Sequence, residues 1–367
     1  MTNKLSVAII GGGVNSAVGM AHYLAIKMSN KFEIIYGCFS RDPKTNKETA
    51  QEYGLPLEYI YRDWKEMVLE QKHKIECVII LTPTNQHYEQ IKFISDLGLS
   101  IICEKTLTSN VEQISDIESI SNNSFISVVF NYICYPMIKE LKNKILLGKL
   151  GKINQIRIEM PQEGYIRKRK NDQIRPQKWR LEENNISNLL LDLGSHAYSI
   201  IKFLTEKVPL ETVSIMNNFG DYSGVIDDIN CSIKYTDNLV GNIWISKSSL
   251  GHKNGLRVSV YGTEGSAEWY QMNPELLKIV DKYGTISYLD RGSEDCSVSS
   301  QKRFNRFKPG HPDGFIESLS NYYEDVSNDL IMKKNENTYG IEQSKECMLL
   351  LRAIHQSSNE QKWISVK

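Results

Sequence analysis

The sequence predicts an α/β fold: a parallel sheet with crossover helices fills the first third of the chain, and closely spaced strands followed by helices fill the rest. Three observations predict it. From Leu5 to about Asn131, short β-branched runs alternate with longer helical stretches, which is the pattern of βαβ units. The cluster Gly11-Gly12-Gly13 stands between the first strand and the first helix. From Ile153 onward, strand-like runs follow one another with turn residues between them.

In the first part the strand-like runs are Leu5 to Ile10, Glu33 to Phe39, Glu76 to Leu81, Ser100 to Cys103 and Phe125 to Phe130. Helical stretches lie between them, near Ala17 to Met28, Asn46 to Tyr53, Asp63 to Gln71, Asn85 to Leu97 and Asn110 to Ser121. Ligands of such a fold sit outside the carboxyl ends of the strands. That rule gathers four segments on one edge: "GGGVNS", "SRD", "TPTNQH" and "EKT".

In the second part "INQIRIEM", "LETVSIMN", "INCSIKY", "VGNIWISKS", "LRVSVYG", "SAEWY", "LLKIVDK" and "TISYL" read as strands. Gly262 to Gly265, Gly-Thr-Glu-Gly, suits a hairpin turn. Asp290 to Pro309 is polar and reads as a loose segment. Helices are expected near Asp313 to Leu330 and Ile341 to Gln356, with a last short strand in Lys362 to Val366.

Bulk properties bound the function. A chain of 367 residues is long for one domain, and the pattern divides it at residues 1–131 and 132–367. Lys plus Arg and Asp plus Glu are 44 each, so no global field draws nucleic acid or a charged partner. Seven scattered cysteines without a Cys-x-x-Cys pair argue against a disulfide framework and a zinc site, and for reduced thiols in a cytoplasmic protein. The histidines lack ligand spacing, so no metal is expected. The apolar run after Lys4 is too short for a signal-peptide core, and no run is long enough to span a membrane.

The motifs on the shared edge carry chemistry. Glycines between a strand and a helix allow backbone N–H groups to approach a pyrophosphate, which the helix N-terminus favours. Gly11, Gly13, Val14 and Asn15 are therefore candidate dinucleotide contacts, and Ser16 takes the place of the fingerprint's third glycine. At the second strand tip an acid would hold the ribose hydroxyls of NAD, whereas Ser40 and Arg41 suit the extra phosphate of NADP. Arg41 leans the reading to NADP(H), with Asp42 as a helix cap ahead of Pro43 being the plainer alternative. Thr82, Pro83, Thr84 and His87 follow the next strand as further cofactor candidates, although His87 can equally satisfy a local hydrogen bond. Glu104 and Lys105 end the strand "SIIC", where charge is costly unless paired or used.

Taken together, these segments resemble the glucose-fructose oxidoreductase / inositol dehydrogenase / MocA (Gfo/Idh/MocA) family of NAD(P)-dependent oxidoreductases. The resemblance covers nearly the whole chain: the glycine turn, "TPTNQH", "CEKTLT" where the family has Glu-Lys-Pro, "DLGSHAYSI" where it has Asp-x-Gly-x-His, and "VYGTEGSAEW". It implies a Rossmann dinucleotide-binding domain and a C-terminal α+β domain with a large, mostly antiparallel open sheet. That second domain would bind substrate and associate through the sheet's outer face, giving a homodimer or homotetramer.

The resemblance also implies roles. Lys105 would lie beside the nicotinamide and the reacting oxygen, with Glu104 supporting it from the strand end. Thr106 stands where the family has proline, and the resemblance implies a cis Lys-Pro bond there; a cis bond before a non-proline residue costs about 3 kcal/mol, which leaves the local backbone, though not the lysine, open. In "LLLDLGSHAYSII", a helix would put Asp192 and His196 at i and i+4 on one face, letting the carboxylate orient the imidazole. Hydride transfer from a carbinol also needs a base for the hydroxyl proton. His196 is the candidate base, Lys105 polarises the oxygen, and Asp192 orients the pair. In the basic segment "GYIRKRKNDQIRPQKWRLEE", Trp179 and Arg180 would approach the cofactor, and the other basic residues either recognise a substrate anion or form a solvated loop. Asn131, Tyr135, Asp228 and His252 are weaker candidates for a sugar pocket. The expected activity is a sugar or polyol dehydrogenase or keto-sugar reductase; the alternatives are a glycosidase using held NAD and a non-catalytic dinucleotide sensor.

Overall fold

The structure is a computed structural model that describes residues 4–120, 124–168, 176, 178–181, 183 and 185–367, with the backbone alone at 178 and 179. In chain order the first elements are β1 (Leu5–Gly11), α1 (Gly19–Ser29), β2 (Phe32–Cys38), α2 (Pro43–Glu52), α3 (Trp64–Gln71) and β3 (Cys77–Leu81). They continue with α4 (His87–Asp96), β4 (Ser100–Glu104), α5 (Val111–Ile120) and β5 (Ile126–Val129). Strand β3, "CVIIL", is buried at every position because helices cover both faces of a parallel sheet. The helix starts follow from capping: the Asp42 carboxylate accepts from Thr45 N–H ahead of Pro43, and Asp63 accepts from the N–H groups of Lys65 and Glu66.

The five strands run parallel in the order β2-β1-β3-β4-β5. Strand order reverses at β1, so the crevice between the ends of β1 and β3 is the switch point where such sheets bind ligands. Gly11 lies opposite Leu81 there, and Glu104 lies opposite Val129 one strand further on.

The remaining elements are α6 (Pro136–Leu146), β6 (Ile153–Pro161), α7 (Ser195–Thr205), β7 (Pro209–Asn217), β8 (Asp228–Tyr235), β9 (Val240–Ser246) and β10 (Arg257–Gly262). Then come β11 (Gly265–Tyr270), β12 (Asn273–Asp281), β13 (Ile286–Leu289), α8 (Phe315–Met332), α9 (Ile341–Glu360) and β14 (Ile364–Ser365). Nine strands form one sheet in the order β13-β12-β11-β10-β6-β9-β8-β7-β14, antiparallel except for β6 beside β9. Alternation sets its faces: Ile229, Cys231, Ile233 and Tyr235 of β8 are buried, and Asn230 and Lys234 between them are exposed.

Two compact units result. The first comprises Met1–Cys134 and Gly314–Glu346; the second comprises Tyr135–Asp313 and Cys347–Lys367. A single cut at residue 131 therefore misses a return: α8 packs on α1 within the first unit. The signal was absent locally, because an apolar helix does not announce which sheet it covers.

The segment 290–309 is also not loose. Arg291, 1% exposed, donates to Glu275 Oε2 (2.7 Å) and to the carbonyls of Phe304 and His311. Buried Glu140 of α6 accepts from the N–H groups of Val298 (2.8 Å) and Ser299 (2.9 Å). Polar residues form this segment because charged partners distant in sequence hold its backbone, which composition alone cannot reveal. All seven cysteines are buried free thiols. Among the described residues no helix is long and apolar enough to cross a membrane, and no group of three or more His, Cys, Asp and Glu residues could hold a metal ion.

Candidate functional site

In the first unit the edge at the ends of β1 to β4 assembles the expected motifs. Gly11 has φ 81°, a left-handed conformation suited to glycine, and its backbone runs against Leu81 and Thr82. Val14 and Asn15 are exposed, and Val14 N–H donates to the Thr49 hydroxyl. The helix-packing glycine of this turn is Gly19, not position 16. A Cβ on Gly19 would lie 2.1 Å from the Gly12 carbonyl oxygen, so only glycine lets α1 start so close to the turn. Ser16 instead accepts from the N–H groups of Val18 and Gly19. The longer spacing from Gly13 to Gly19 hid this in the sequence. A glycine turn with Val14 and Asn15 exposed, before a close-packed helix at the switch point, fits a dinucleotide.

At the tip of β2, Asp42 is committed to capping α2: its Oδ2 accepts from Thr45 N (2.9 Å) and Thr45 Oγ1 (2.6 Å). The Thr45 hydrogen bonds hold its carboxyl below the ordinary aspartate value. Ser40 Oγ accepts from Asp42 N–H, and Arg41 is exposed beside it.

His87 is placed differently from a cleft-lining residue. It is fully buried, with Nε2 2.8 Å from Thr82 O and Nδ1 3.0 Å from Thr106 O. Burial pushes its pKa down, against the opposing effect of the two carbonyls. A neutral ring has one N–H to give, so His87 sits between the Thr82–Pro83–Thr84 loop and the loop after β4 with a local hydrogen bond to one of their carbonyls. Thr82 Oγ1 donates to Gln90 Oε1, Pro83 is exposed, and Thr84 opens a short helical turn.

Glu104 ends β4 and Lys105 follows it, partly exposed. Glu104 Oε2 accepts from Lys105 N–H at 3.1 Å, and Oε1 lies 2.8 Å from His22 Nε2. The Lys105–Thr106 peptide bond is cis, the form the resemblance implies for the family's Lys-Pro.

In the second unit Asp192 lies in a π-helical turn, Leu190–Gly194, that runs into α7. Such turns often mark functional positions. The Asp192 carboxylate meets two cations: Oδ2 accepts from Arg180 (2.6 Å) and from Lys247 Nζ (2.5 Å). Lys247 was not legible as a site residue, because a lysine ending the strand "VGNIWIS" reads as solvated; here it is buried and stands 5.1 Å from the ring centre of Tyr165. Burial and then the Asp192 charge push the Tyr165 phenol up to about 12. His196 is buried in the first turn of α7. Trp179 belongs to a short helical turn, Lys178–Leu181, and its side chain lies outside the described residues.

Three of the weaker sugar-pocket candidates are structural ties. Buried Asn131 donates to Ser318 Oγ (3.1 Å), and Tyr135 packs on Trp269 and accepts from Gln271. Asp228 accepts from Trp244 Nε1 (3.0 Å) and Asn230 Nδ2 (3.1 Å) across the sheet. Each is buried and makes at least one hydrogen bond within the protein. His252 is partly exposed on the loop after β9.

This geometry agrees with comparison to known proteins. Residues 5–124 match the description "Oxidoreductase family, NAD-binding Rossmann fold", and residues 142–366 match "Oxidoreductase family, C-terminal alpha/beta domain". The chain belongs to the Gfo/Idh/MocA family of oxidoreductases, and its cofactor is a nicotinamide dinucleotide. It is 25% identical to the uncharacterized oxidoreductase YfiI of Bacillus subtilis, over 88% of this chain and 84% of that one. It is 23% identical to the levoglucosan dehydrogenase of Pseudarthrobacter phenanthrenivorans, over 74% and 75% respectively. An inositol dehydrogenase homolog of Azotobacter vinelandii, solved with NADH and myo-inositol, shares the fold with a TM-score of 0.89 at 22% identity, covering 100% of this chain and 98% of that one.

Proposed function

We propose that this oxidoreductase transfers a hydride between a nicotinamide cofactor, NADP(H) by preference, and a carbinol or keto carbon of a sugar or polyol. The observation that carries the reading is Lys105, held by Glu104 at the carboxyl end of β4 on the same edge as the glycine turn. The relatives named for levoglucosan and inositol support the substrate class.

Bound nicotinamide supplies the hydride acceptor or donor. Gly11, Gly13, Val14 and Asn15 hold the pyrophosphate, Arg41 and Ser40 the 2′-phosphate, and the Thr82–Thr84 loop, Trp179 and Arg180 complete the cofactor contacts. Lys105 donates to the substrate oxygen, and His196 takes the hydroxyl proton on oxidation and returns it on reduction. Asp192 anchors Arg180 and Lys247 beside the helix that carries His196. The solvent-facing side of the nine-stranded sheet, with Ile215 and Tyr288 exposed on it, is proposed as the surface of a homodimer or homotetramer.

The test is a panel of sugars, sugar phosphates and inositols, each with NAD+ and NADP+, followed at the nicotinamide absorbance band. Reduction of cofactor by at least one polyol supports the reading. No turnover with any member, by a protein that binds the dinucleotide, removes it in favour of a sensor.

A further inference from the structure

We propose that His22 and Tyr323 are positioning residues for Lys105, acting through Glu104. The inference rests on the reading of Lys105 as a catalytic residue given above. His22 lies on α1 three residues after Gly19, and Tyr323 lies on α8, 301 residues away in sequence. Tyr323 Oη is 2.7 Å from His22 Nδ1, and His22 Nε2 is 2.8 Å from Glu104 Oε1. Glu104 Oε2 then accepts from Lys105 N–H. His22 is 1% exposed and Tyr323 is fully buried, whereas the Glu104 side chain is 15% exposed. The chain therefore runs from the core to the edge of the site.

Each ring nitrogen of His22 has one partner: Nε2 faces the Glu104 carboxylate and Nδ1 faces the Tyr323 hydroxyl, which can donate or accept. Burial first, and the Glu104 charge second, raise the Tyr323 pKa well above the ordinary tyrosine value, which keeps that hydroxyl protonated. Both ring nitrogens of His22 and both oxygens of Glu104 are thus paired, and a fully satisfied buried network defines a single arrangement.

The consequence lies at Lys105. Both Glu104 oxygens are held, one by His22 and one by the Lys105 N–H, so the carboxylate cannot rotate away and the backbone from which the lysine projects is fixed. Because His22 sits one turn along the helix that Gly19 presses onto the glycine turn, the same helix positions both the dinucleotide loop and the lysine. Supporting residues of this kind decide whether a catalytic group is held closely enough to work.

The test reads Lys105 directly. Intact protein is treated with limiting acetic anhydride, and acetylation of Lys105 relative to Lys44, whose side chain is 82% exposed, is measured by peptide mass spectrometry. Tyr323→Phe and His22→Ala should each change the Lys105 to Lys44 ratio by about threefold or more, and His22→Gln, which keeps an N–H toward Glu104, should restore most of it. With whichever of myo-inositol or levoglucosan the protein oxidises, kcat should fall about tenfold while KM for the dinucleotide stays within about twofold. An unchanged ratio in folded Tyr323→Phe and His22→Ala overturns the proposal. So does a His22→Gln ratio that moves as far as that of His22→Ala, since packing alone would then be at work. If Lys105→Ala retains full turnover while the ratio still shifts, the catalytic reading of Lys105 fails and the positioning network stands.

Discussion

Gly19 and Gly12 touch backbone to backbone: a Cβ on Gly19 would stand 2.1 Å from the Gly12 carbonyl oxygen and 2.6 Å from its carbon. Neither partner atom can move without distorting the turn that approaches the dinucleotide. Gly19→Ala should therefore destabilise the protein by about 1–3 kcal/mol, the range for overpacking, and weaken NAD(P)H binding at least about tenfold. Gly164→Ala is the control, since nothing lies within 4 Å of a Cβ there. Denaturant melts and nicotinamide fluorescence titrations check both; equal behaviour of the two variants would show that the close contact is not required.

Cofactor choice is tested at Arg41. With Asp42 occupied as a helix cap, no acid of the "SRD" tip is left to hold a ribose diol. Arg41→Ala should lose about 1.5–3 kcal/mol of NADPH binding, the range for a charged hydrogen bond, with little change for NADH. Isothermal titration with both cofactors gives the answer, and equal weakening of the two would refute the 2′-phosphate assignment.

Glu140 links stability to pH. Burial alone would raise its carboxyl, but the Ser299 and Val298 N–H groups, Asn143 and Lys144 outweigh burial and hold the pKa below the ordinary glutamate value. A depressed folded-state pKa gives stability that is complete above the unfolded value, near 4.3, and is lost as pH falls through the folded one. Glu140→Gln should thus lower stability at neutral pH and flatten the acid limb below about pH 4.3. Urea midpoints measured from pH 7 to pH 3 would contradict this if both proteins lost stability in parallel.

The Lys247–Asp192 pair should behave as a buried ion pair. Its side chains are 8% and 20% exposed, against 53% and 36% for Lys234 and Glu211 on the sheet surface. Double-mutant cycles should give a coupling of about 1–3 kcal/mol for the first pair and below about 1 kcal/mol for the second. Comparable couplings would mean that the cluster around Asp192 is solvated like the surface.

Much of this architecture was legible because it depends on local pattern. The five strands and crossover helices of the first sheet, and the hairpin at Gly262 to Gly265, follow from periodicity and turn chemistry. What was not legible depends on partners far apart in the chain. His22 looks like an ordinary helix histidine until α8 brings Tyr323 to it. Arg291 reads as a loop residue until Glu275 and Asp313 enclose it. The π turn at Leu190–Gly194 cannot be told from an ordinary helical turn by its apolar pattern. Gly19 was missed for a different reason: the fingerprint has a fixed spacing, whereas the physical requirement is only that some residue facing Gly12 lack a side chain.

The proposed function requires Lys105 and His196 to serve one chemical step. The most direct measurement is kcat/KM for Lys105→Ala, His196→Asn and the double variant on the best polyol of the panel, with NAD(P)H affinity measured in parallel. Each single variant should bind the cofactor within a few fold of the parent yet lose about 10²- to 10⁴-fold in rate, the contribution of a positioned proton-transfer group. The double variant should lose far less than the product of the two, because residues of one step are not additive. Near-normal rates in both single variants, with cofactor binding intact, would contradict the account.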